Sequence, residues 1–233
     1  MKILVLMRMV PDTVEELEVA PDGKSLDLDA ARPIVSESDD HALEQALLLK
    51  DRLGGSVVAL GVASRDLDDV LFTALAKALP AIPGLLPVDL VLTGCQAIDD
   101  LDGLLAPFLA ERLGVPYLGV VTGVEAKGGE AQATVLKEYA GGVRARYAIL
   151  LPAVLGVQAA EKPPRYVPVA KVRATMKSAK IETVAAPARE VVSPLAVLRM
   201  TKPEAAGQAE MLVGDPAAVA AKVVEILSAR GLL

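Results

Sequence analysis

The chain is poor in aromatic residues, histidine and cysteine. Its 233 residues include no Trp, two Phe, four Tyr, one His and one Cys. The core must therefore consist of Ala, Val, Leu and Ile, and the sequence shows no aromatic platform on which nucleic-acid bases stack. A single Cys excludes an intramolecular disulfide and favours the reducing cytoplasm. A single His excludes metal sites built from several histidines, so no metal site is predicted.

Positive charge and long apolar runs are also scarce. The formal net charge of −6 argues against nucleic-acid binding, which needs a basic surface. The longest apolar stretch, residues 147–160, is interrupted by Pro152 and is too short to span a bilayer. Residues 1–7 are too short a run for a signal peptide and are typical of a first strand. With 53% hydrophobic residues, we expect a soluble cytoplasmic protein with a large core.

Strand-like and helix-like segments alternate in the first half of the chain. The predicted segments are a strand over residues 3–7, a helix over 38–53 capped by Ser38, a strand over 57–62, a helix over 65–79 and a strand over 88–93. This alternation predicts an α/β fold, Rossmann-like or adenine nucleotide α-hydrolase-like, in which helices cover both faces of a mostly parallel sheet.

The second half has a different character. Short apolar runs over residues 118–124, 133–138 and 143–150 are separated by glycine pairs, which predicts a small antiparallel addition. Residues 154–157 form a further short apolar run. Proline and basic residues then recur without a long apolar period, and a final helix follows, capped by Asp215. We therefore predict an α/β core over residues 1–160 and an extended partner-binding arm with a C-terminal helix over residues 161–233.

Residues 88–116 form the most informative motif, an apolar strand that stops at Gly94, a polar turn, and a helix predicted to begin near Asp102. A helix N-terminus after a strand offers backbone N–H groups to phosphate, and Gly94 would let a ligand approach the chain closely. The alternative is that Asp102 only caps the helix. Three acidic residues in the turn, Asp99, Asp100 and Asp102, are unfavourable beside a phosphate.

The sequence contains no complete catalytic constellation. Cys95 has no neighbouring His to activate it and is interpreted as a small buried side chain. His41 is interpreted as a surface or capping residue, and Asp39 and Asp40 as acids of a first helical turn. The basic segment 162–180, with interleaved apolar residues, is either a surface that docks on an acidic protein or a solvated connector.

Taken together, these motifs resemble the β subunit of electron-transfer flavoproteins. The matching segments are 2–5 with 8–12, 38–50, 88–99 with the pattern Gly94-x-Gln96-Ala97-Ile98-Asp99, 113–116, 151–154, 164–166 and 177–181. The resemblance implies a non-catalytic electron carrier that shares FAD with an α subunit, accepts electrons from flavin dehydrogenases and holds a structural AMP.

The resemblance also implies where the cofactors and partners bind. The AMP would lie beside the cofactor-binding residues Leu6, Val62, Gly94, Gln96, Asp99, Gly103, Leu104 and Leu105. The flavin would be approached by the loop at Asp12 and Thr13, and a dehydrogenase by Arg165, Tyr166 and Val169.

The chain departs from the family pattern in three places. After Ile34-Val35 it has Ser36-Glu37-Ser38, where relatives commonly have an Asn-Pro-Phe-like turn near the flavin. Residues 103–105 present no polar side chain at the helix start, so phosphate binding there would depend on backbone N–H groups. A proline-rich bridge, residues 80–87, replaces an additional strand and helix. Two alternatives therefore remain, a nucleotide-binding regulatory or stress-type module and a degenerate paralogue that acts only as an assembly partner. Residues 161–203 favour the subunit, because a stand-alone module has little use for such an arm.

Overall fold

Apolar strands and amphipathic helices alternate along the chain and assemble into a largely parallel sheet. The computed structural model describes residues 1–27, 31–61, 87–183, 196–203, 209 and 211–233. The elements within these residues are β1 (Lys2–Leu6), β2 (Met9–Pro11), β3 (Pro33–Val35), α1 (Glu37–Leu53), β4 (Ser56–Leu60), β5 (Leu90–Gly94), α2 (Leu105–Leu113), β6 (Tyr117–Ala126), β7 (Gln132–Glu138), a 3₁₀ turn (Ala140–Gly142), β8 (Arg144–Leu150), β9 (Ala153–Val157), α3 (Val169–Ser178) and α4 (Pro216–Ala229).

In the described part of the chain, the main sheet has seven strands in the order β4-β1-β5-β9-β6-β7-β8. Strands β4, β1, β5, β9 and β6 pair in parallel, whereas β6, β7 and β8 form the antiparallel meander. Strands β2 and β3 form a separate antiparallel pair. The predicted α/β class and the antiparallel addition are therefore confirmed. The sequence did not predict that β9, the last strand within the described residues, lies between β5 and β6.

Helices cover both faces of the sheet, as predicted, because successive strand residues point to opposite sides. Ile3 and Val5 of β1 pack in a core cluster with Leu43 and Leu47 of α1. Leu4, between them, belongs to a second cluster with Ala106 of α2. The two clusters identify an α1 face and an α2 face of the same sheet.

Several predicted boundaries differ from those observed. Helix α2 begins at Leu105 and not near Asp102, and the strand predicted over residues 57–62 is β4, Ser56–Leu60. The C-terminal helix is confirmed, since Asp215 caps it by accepting a 2.8 Å hydrogen bond from the Ala218 N–H. Val62, the helix predicted over residues 65–79 and most of the proline-rich bridge lie outside the described residues.

The predicted arm contains a helix where extended chain was expected. Helix α3 lies within it, and none of the residues of α3 or of α4 is buried. Residues 196–203 return to the loop after β2, where the Met200 N–H donates to the Gly23 carbonyl at 2.8 Å. The division into a core and an arm at residue 160 stays a prediction. Among the described residues, every helix is too short or too polar to span a bilayer.

Candidate functional site

The candidate site lies at the carboxyl edge of the sheet, where β1 and β5 end side by side. Strand β1 has two parallel neighbours: β4, the earlier of the two in the chain, lies on one side of it, and β5, the later, lies on the other. The strand order therefore reverses between β1 and β5. In open α/β sheets, ligands bind in the crevice at such a switch point.

Arg8, just after β1, organises this edge. Its Nε and Nη2 donate to the carboxylate of Asp39 at 2.9 and 3.0 Å, and its Nη1 donates to Asp100 Oδ2 at 3.2 Å. Nη2 also reaches the carbonyl oxygens of Gly94 and Gln96, at 3.3 Å each. Burial lowers the pKa of Arg8, but its hydrogen bond to Asp39 and the surrounding carboxylates raise it more. The guanidinium is thus a permanently charged clamp with its donors committed to protein oxygens.

Gly94 has a packing role that differs from the expected one. It ends β5 with an ordinary backbone and is not among the residues with positive φ. A Cβ on Gly94 would collide with the Ser38 side chain and lie 2.7 Å from Asp39 Oδ1. The glycine therefore lets the start of α1 approach the sheet, and the Gly94 N–H donates to Asp39 Oδ1 at 2.6 Å.

The start of α1 also differs from the prediction. The N-cap is Ser36, not Ser38, and its side chain makes no capping hydrogen bond. The Ser38 hydroxyl instead donates to the Gln96 carbonyl. Asp39, interpreted as a simple first-turn acid, is fully buried against Arg8.

A cleft of about 650 Å³ opens beside this network, on the α1 side of the edge. Its lining residues include two that the sequence singled out for cofactors, Thr13 and Gln96, and within the described part of the chain they include no Lys or Arg. The apolar lining residues are Val10, Pro11, Ile34, Val35, Ala97, Ile98, Leu101 and Val120. The polar ones besides Thr13 and Gln96 are Ser36, Glu37, Ser38, His41, Cys95 and Gln158.

His41 and Cys95 are cleft residues, which the sequence did not indicate. The His41 Nδ1 accepts a hydrogen bond from the Ala160 N–H at 3.2 Å, so the neutral ring carries its proton on Nε2. Cys95 is only partly buried, in contrast to the interpretation as a buried side chain, and burial raises the pKa of its thiol. Within the described ranges, no three His, Cys, Asp or Glu side chains form a group suited to a metal ion.

The predicted nucleotide turn borders the cleft through Gln96, Ala97, Ile98 and Leu101, whereas the helix that follows it, α2, packs on the other face of the sheet. Asp102 does not cap α2; instead Asp100 Oδ1 accepts from the Leu104 N–H at 3.2 Å. The N–H groups of Leu105 and Ala106 have no acceptor in the part of the chain that the structure describes. Leu6 packs against the same core cluster as α2. The described cofactor residues that the sequence predicted therefore do not form one group. Thr13 and Gln96 line the cleft, whereas Asp12 and Asp99 are not among its lining residues. Leu6 packs with α2 on the other face, residues 103–105 lead into α2, and Gly94 is buried at the end of β5.

The root of the arm is clamped to α1 by two charged residues. Arg165 donates from Nε and Nη2 to Glu44 at 2.9 Å each, and from Nη2 to Asp51 at 3.0 Å. Glu161 accepts from Arg52 Nη1 and from Gln45 Nε2, both at 2.9 Å. Tyr166 and Val169, just beyond this clamp, are 84% and 61% exposed. Arg165 therefore positions the arm, while the two apolar side chains are presented to solvent.

Comparison with known proteins identifies the family. A family model described as "Electron transfer flavoprotein domain" matches residues 62–189, more than half of the chain. The chain belongs to the electron transfer flavoprotein family. It is 31% identical to electron transfer flavoprotein subunit beta of Bacillus subtilis, over 71% of this chain and 72% of that protein. The subunit beta of Syntrophomonas wolfei is 29% identical, over 97% and 95% of the two chains, and that of Methylophilus methylotrophus 26%, over 98% of each.

Membership of the electron transfer flavoprotein family confirms the resemblance drawn from the motifs. It places the chain among β subunits of an electron-transfer family, with an α subunit as the partner that the family implies. The positions of the cofactors on this chain stay predictions.

Proposed function

We propose that this chain is the β subunit of a heterodimeric electron-transfer flavoprotein, which holds FAD together with an α subunit and carries electrons from dehydrogenases. The observation that carries the proposal is the cleft at the switch point, which both Thr13 and Gln96 line. The bound flavin would supply the redox chemistry, and the protein would position the flavin and exclude water from it.

The chemistry of the cleft suits a planar heterocyclic ring. Apolar side chains form much of its lining, and such walls favour a flat ring over a hydrated group. The N–H groups of Glu37 and Ser38, at the positive end of α1, have no acceptor among the described residues and suit electronegative ring atoms. The His41 Nε2–H is a further donor. Because no Lys or Arg among the described residues lines the cleft, it suits the ring of FAD better than its phosphates.

The α subunit would cover apolar surface that the isolated chain leaves in water. Helix α4 has a mostly apolar sequence, yet none of its residues is buried. Val213 before it is 93% exposed, and Leu198 in the returning segment is 86% exposed. Surface of this kind is typical of an interface with another chain.

The arm would meet the electron donor. Tyr166 and Val169 lie beyond a root held by Glu44 and Glu161, so they project from a fixed base. A fixed base lowers the entropy lost when a dehydrogenase docks. Arg165 contributes by fixing the root.

The structural AMP that the resemblance implies fits the backbone of this chain. The N–H groups of Leu105 and Ala106, which have no acceptor among the described residues, lie at the N-terminus of α2, where a phosphate binds favourably. Gly103, with φ 64°, packs against the Cys95 carbonyl and shapes the turn. Asp99 and Asp102 are exposed beside this turn and would weaken phosphate binding electrostatically.

The test is the visible spectrum of the complex that copurifies with the tagged full chain from its native source. We expect a flavin spectrum and one partner chain; a colourless protein without a partner would overturn the proposal and favour the regulatory module or the degenerate paralogue.

A second experiment tests the position of the flavin. Thr13→Trp, which fills the cleft, should lower the amount of bound flavin at least about tenfold. Val14→Trp is the matched control, because Val14 is 92% exposed and does not line the cleft. Equal flavin content in both variants would show that the flavin ring does not bind in the cleft.

A further inference from the structure

Val120 has a backbone conformation that a β-branched residue rarely adopts. Its φ is 61°, and all other residues with positive φ in the described ranges are glycines. In this region the Cβ of an L-residue crowds the neighbouring carbonyl oxygen, and the second branch of valine makes the crowding worse. Such strain persists only where the surrounding structure imposes it, and it concentrates at functional sites.

The strain arises in a β-bulge that does not itself require valine. On β9, Gly156 pairs with Gly119 and Val157 pairs with Val121, so Val120 is the extra, unpaired residue of β6. The Gln158 N–H closes the bulge by donating to the Val121 carbonyl at 2.8 Å. A glycine at position 120 would form the same bulge without strain. The backbone therefore gives no reason for a side chain at this position.

The side chain of Val120 faces the cleft. Val120 is 36% exposed and lines the cleft together with Cys95 and Gln158. A Cβ on Gly156 would lie 3.3 Å from the Cys95 Cα, so β5 and β9 approach closely at this position. The bulge thus places an isopropyl group at the edge of a cavity, above closely packed backbone.

We propose that Val120 is a flavin-contacting residue, whose isopropyl group packs against the planar ring of the flavin in the cleft. The inference rests on the proposed function, since it takes the flavin as the occupant. In this proposal the strained backbone at Val120 is retained because its side chain binds the ligand. The flavin-free protein is therefore less stable than it would be with glycine at position 120. If the role of Val120 were purely structural, substitution of Val120 would either lower both stability and FAD affinity or leave FAD affinity unchanged.

Val120→Gly separates these roles, because it relieves strain and removes the contact at once. In the full chain copurified with its α subunit, we expect the FAD dissociation constant to rise about 5- to 10-fold. In the flavin-free full chain, we expect the midpoint of thermal unfolding to rise by about 2–4 °C. Val143→Gly is the control: Val143 is 59% exposed with φ −72°, so the change should lower the midpoint and leave FAD affinity unchanged.

Val120→Ala is the second variant, since it keeps a Cβ at positive φ and shortens the side chain. It should weaken FAD binding while raising the unfolding midpoint less than Val120→Gly does, and its FAD affinity tests the proposal if Val120→Gly does not fold. Unchanged FAD affinity in both variants, or a lower midpoint in Val120→Gly, would overturn the role of Val120 and leave the proposed function intact. A wild-type complex without flavin would overturn both.

Discussion

Arg8 and Asp39 form a two-point ion pair beneath the carboxyl edge of the sheet, with Arg8 Nε 2.9 Å from Asp39 Oδ2 and Nη2 3.0 Å from Oδ1. Asp39 has no exposed surface, and it also accepts the N–H groups of Gly94 and of Arg8 itself. One carboxylate therefore joins the end of β1, the end of β5 and the first turn of α1. The shape of the cleft depends on this pair.

Asp39→Ala should destabilise the chain strongly. It leaves a partly buried guanidinium and a buried N–H without their main acceptor, and loss of one partner of a buried pair costs about 3–5 kcal/mol. Urea unfolding of the full chain measures the loss. Glu111→Ala, at an exposed position of α2, should change the free energy of unfolding by less than about 0.5 kcal/mol. A similar small loss in both variants would contradict a structural role for the pair.

The stability that Glu161 provides should depend on pH. Partial burial raises the pKa of Glu161, but hydrogen bonds from Arg52 and Gln45 and the Arg52 charge lower it more, so it lies below its ordinary value. A lowered folded-state pKa means that the stabilisation is complete above the unfolded value, about 4.3, and is lost as the pH falls through the folded value. In urea unfolding, the free energy of unfolding of the wild type should exceed that of Glu161→Gln by about 1 kcal/mol at pH 7. The two free energies should become equal below about pH 4. A pH-independent difference would show that the charge of Glu161 is not the cause.

Val169→Asp should slow reduction of the flavin by its donor dehydrogenase while the heterodimer still assembles. The substitution puts a charge on a 61% exposed apolar residue at the first position of α3, where a donor would bury it. Stopped-flow reduction rates test this, with assembly checked by size-exclusion chromatography. Val143→Asp changes a similarly exposed valine on the antiparallel meander and should leave the rate unchanged. Equal rates in all three proteins would remove the arm from donor recognition.

Asp102→Asn should strengthen AMP binding. Asp102 is exposed beside the start of α2, and removal of its charge relieves repulsion of the phosphate, for about a 2- to 5-fold gain in affinity at low salt. Calorimetric titration of AMP into the nucleotide-stripped complex measures the gain, which should shrink in 0.5 M salt or so. Equal affinities at low salt would indicate that the phosphate does not lie at this helix start.

Features set by neighbouring residues could be predicted from the sequence. Asp215 and Pro216 begin α4 as expected, because both act through the first turn of the helix. The apolar runs predicted strands correctly, since burial on two faces leaves a clear pattern. Ser38 shows the limit of such reasoning: it has the right chemistry for a cap, but the Gln96 carbonyl, 58 residues away, takes its hydroxyl.

The site depends on contacts between distant parts of the chain, which a single sequence does not reveal. Asp39 had the signature of a helical first-turn acid, yet its partner Arg8 lies 31 residues earlier. His41 showed no signal for the cleft, because its contact is the Ala160 N–H, 119 residues later. The family resemblance indicated Thr13 and Gln96 but not the residues that hold them in place.

The central position of β9 has a consequence for how the protein forms during synthesis. A nascent chain that has emerged only as far as β8 contains β5 and β6, the two neighbours of β9, but not β9 itself, which joins them. The meander β6–β8 then has only local pairing, while β5 presents an open edge. We expect the two halves of the sheet to unite only when residues 153–157 leave the ribosome, so that the switch-point cleft is among the last parts of the protein to form.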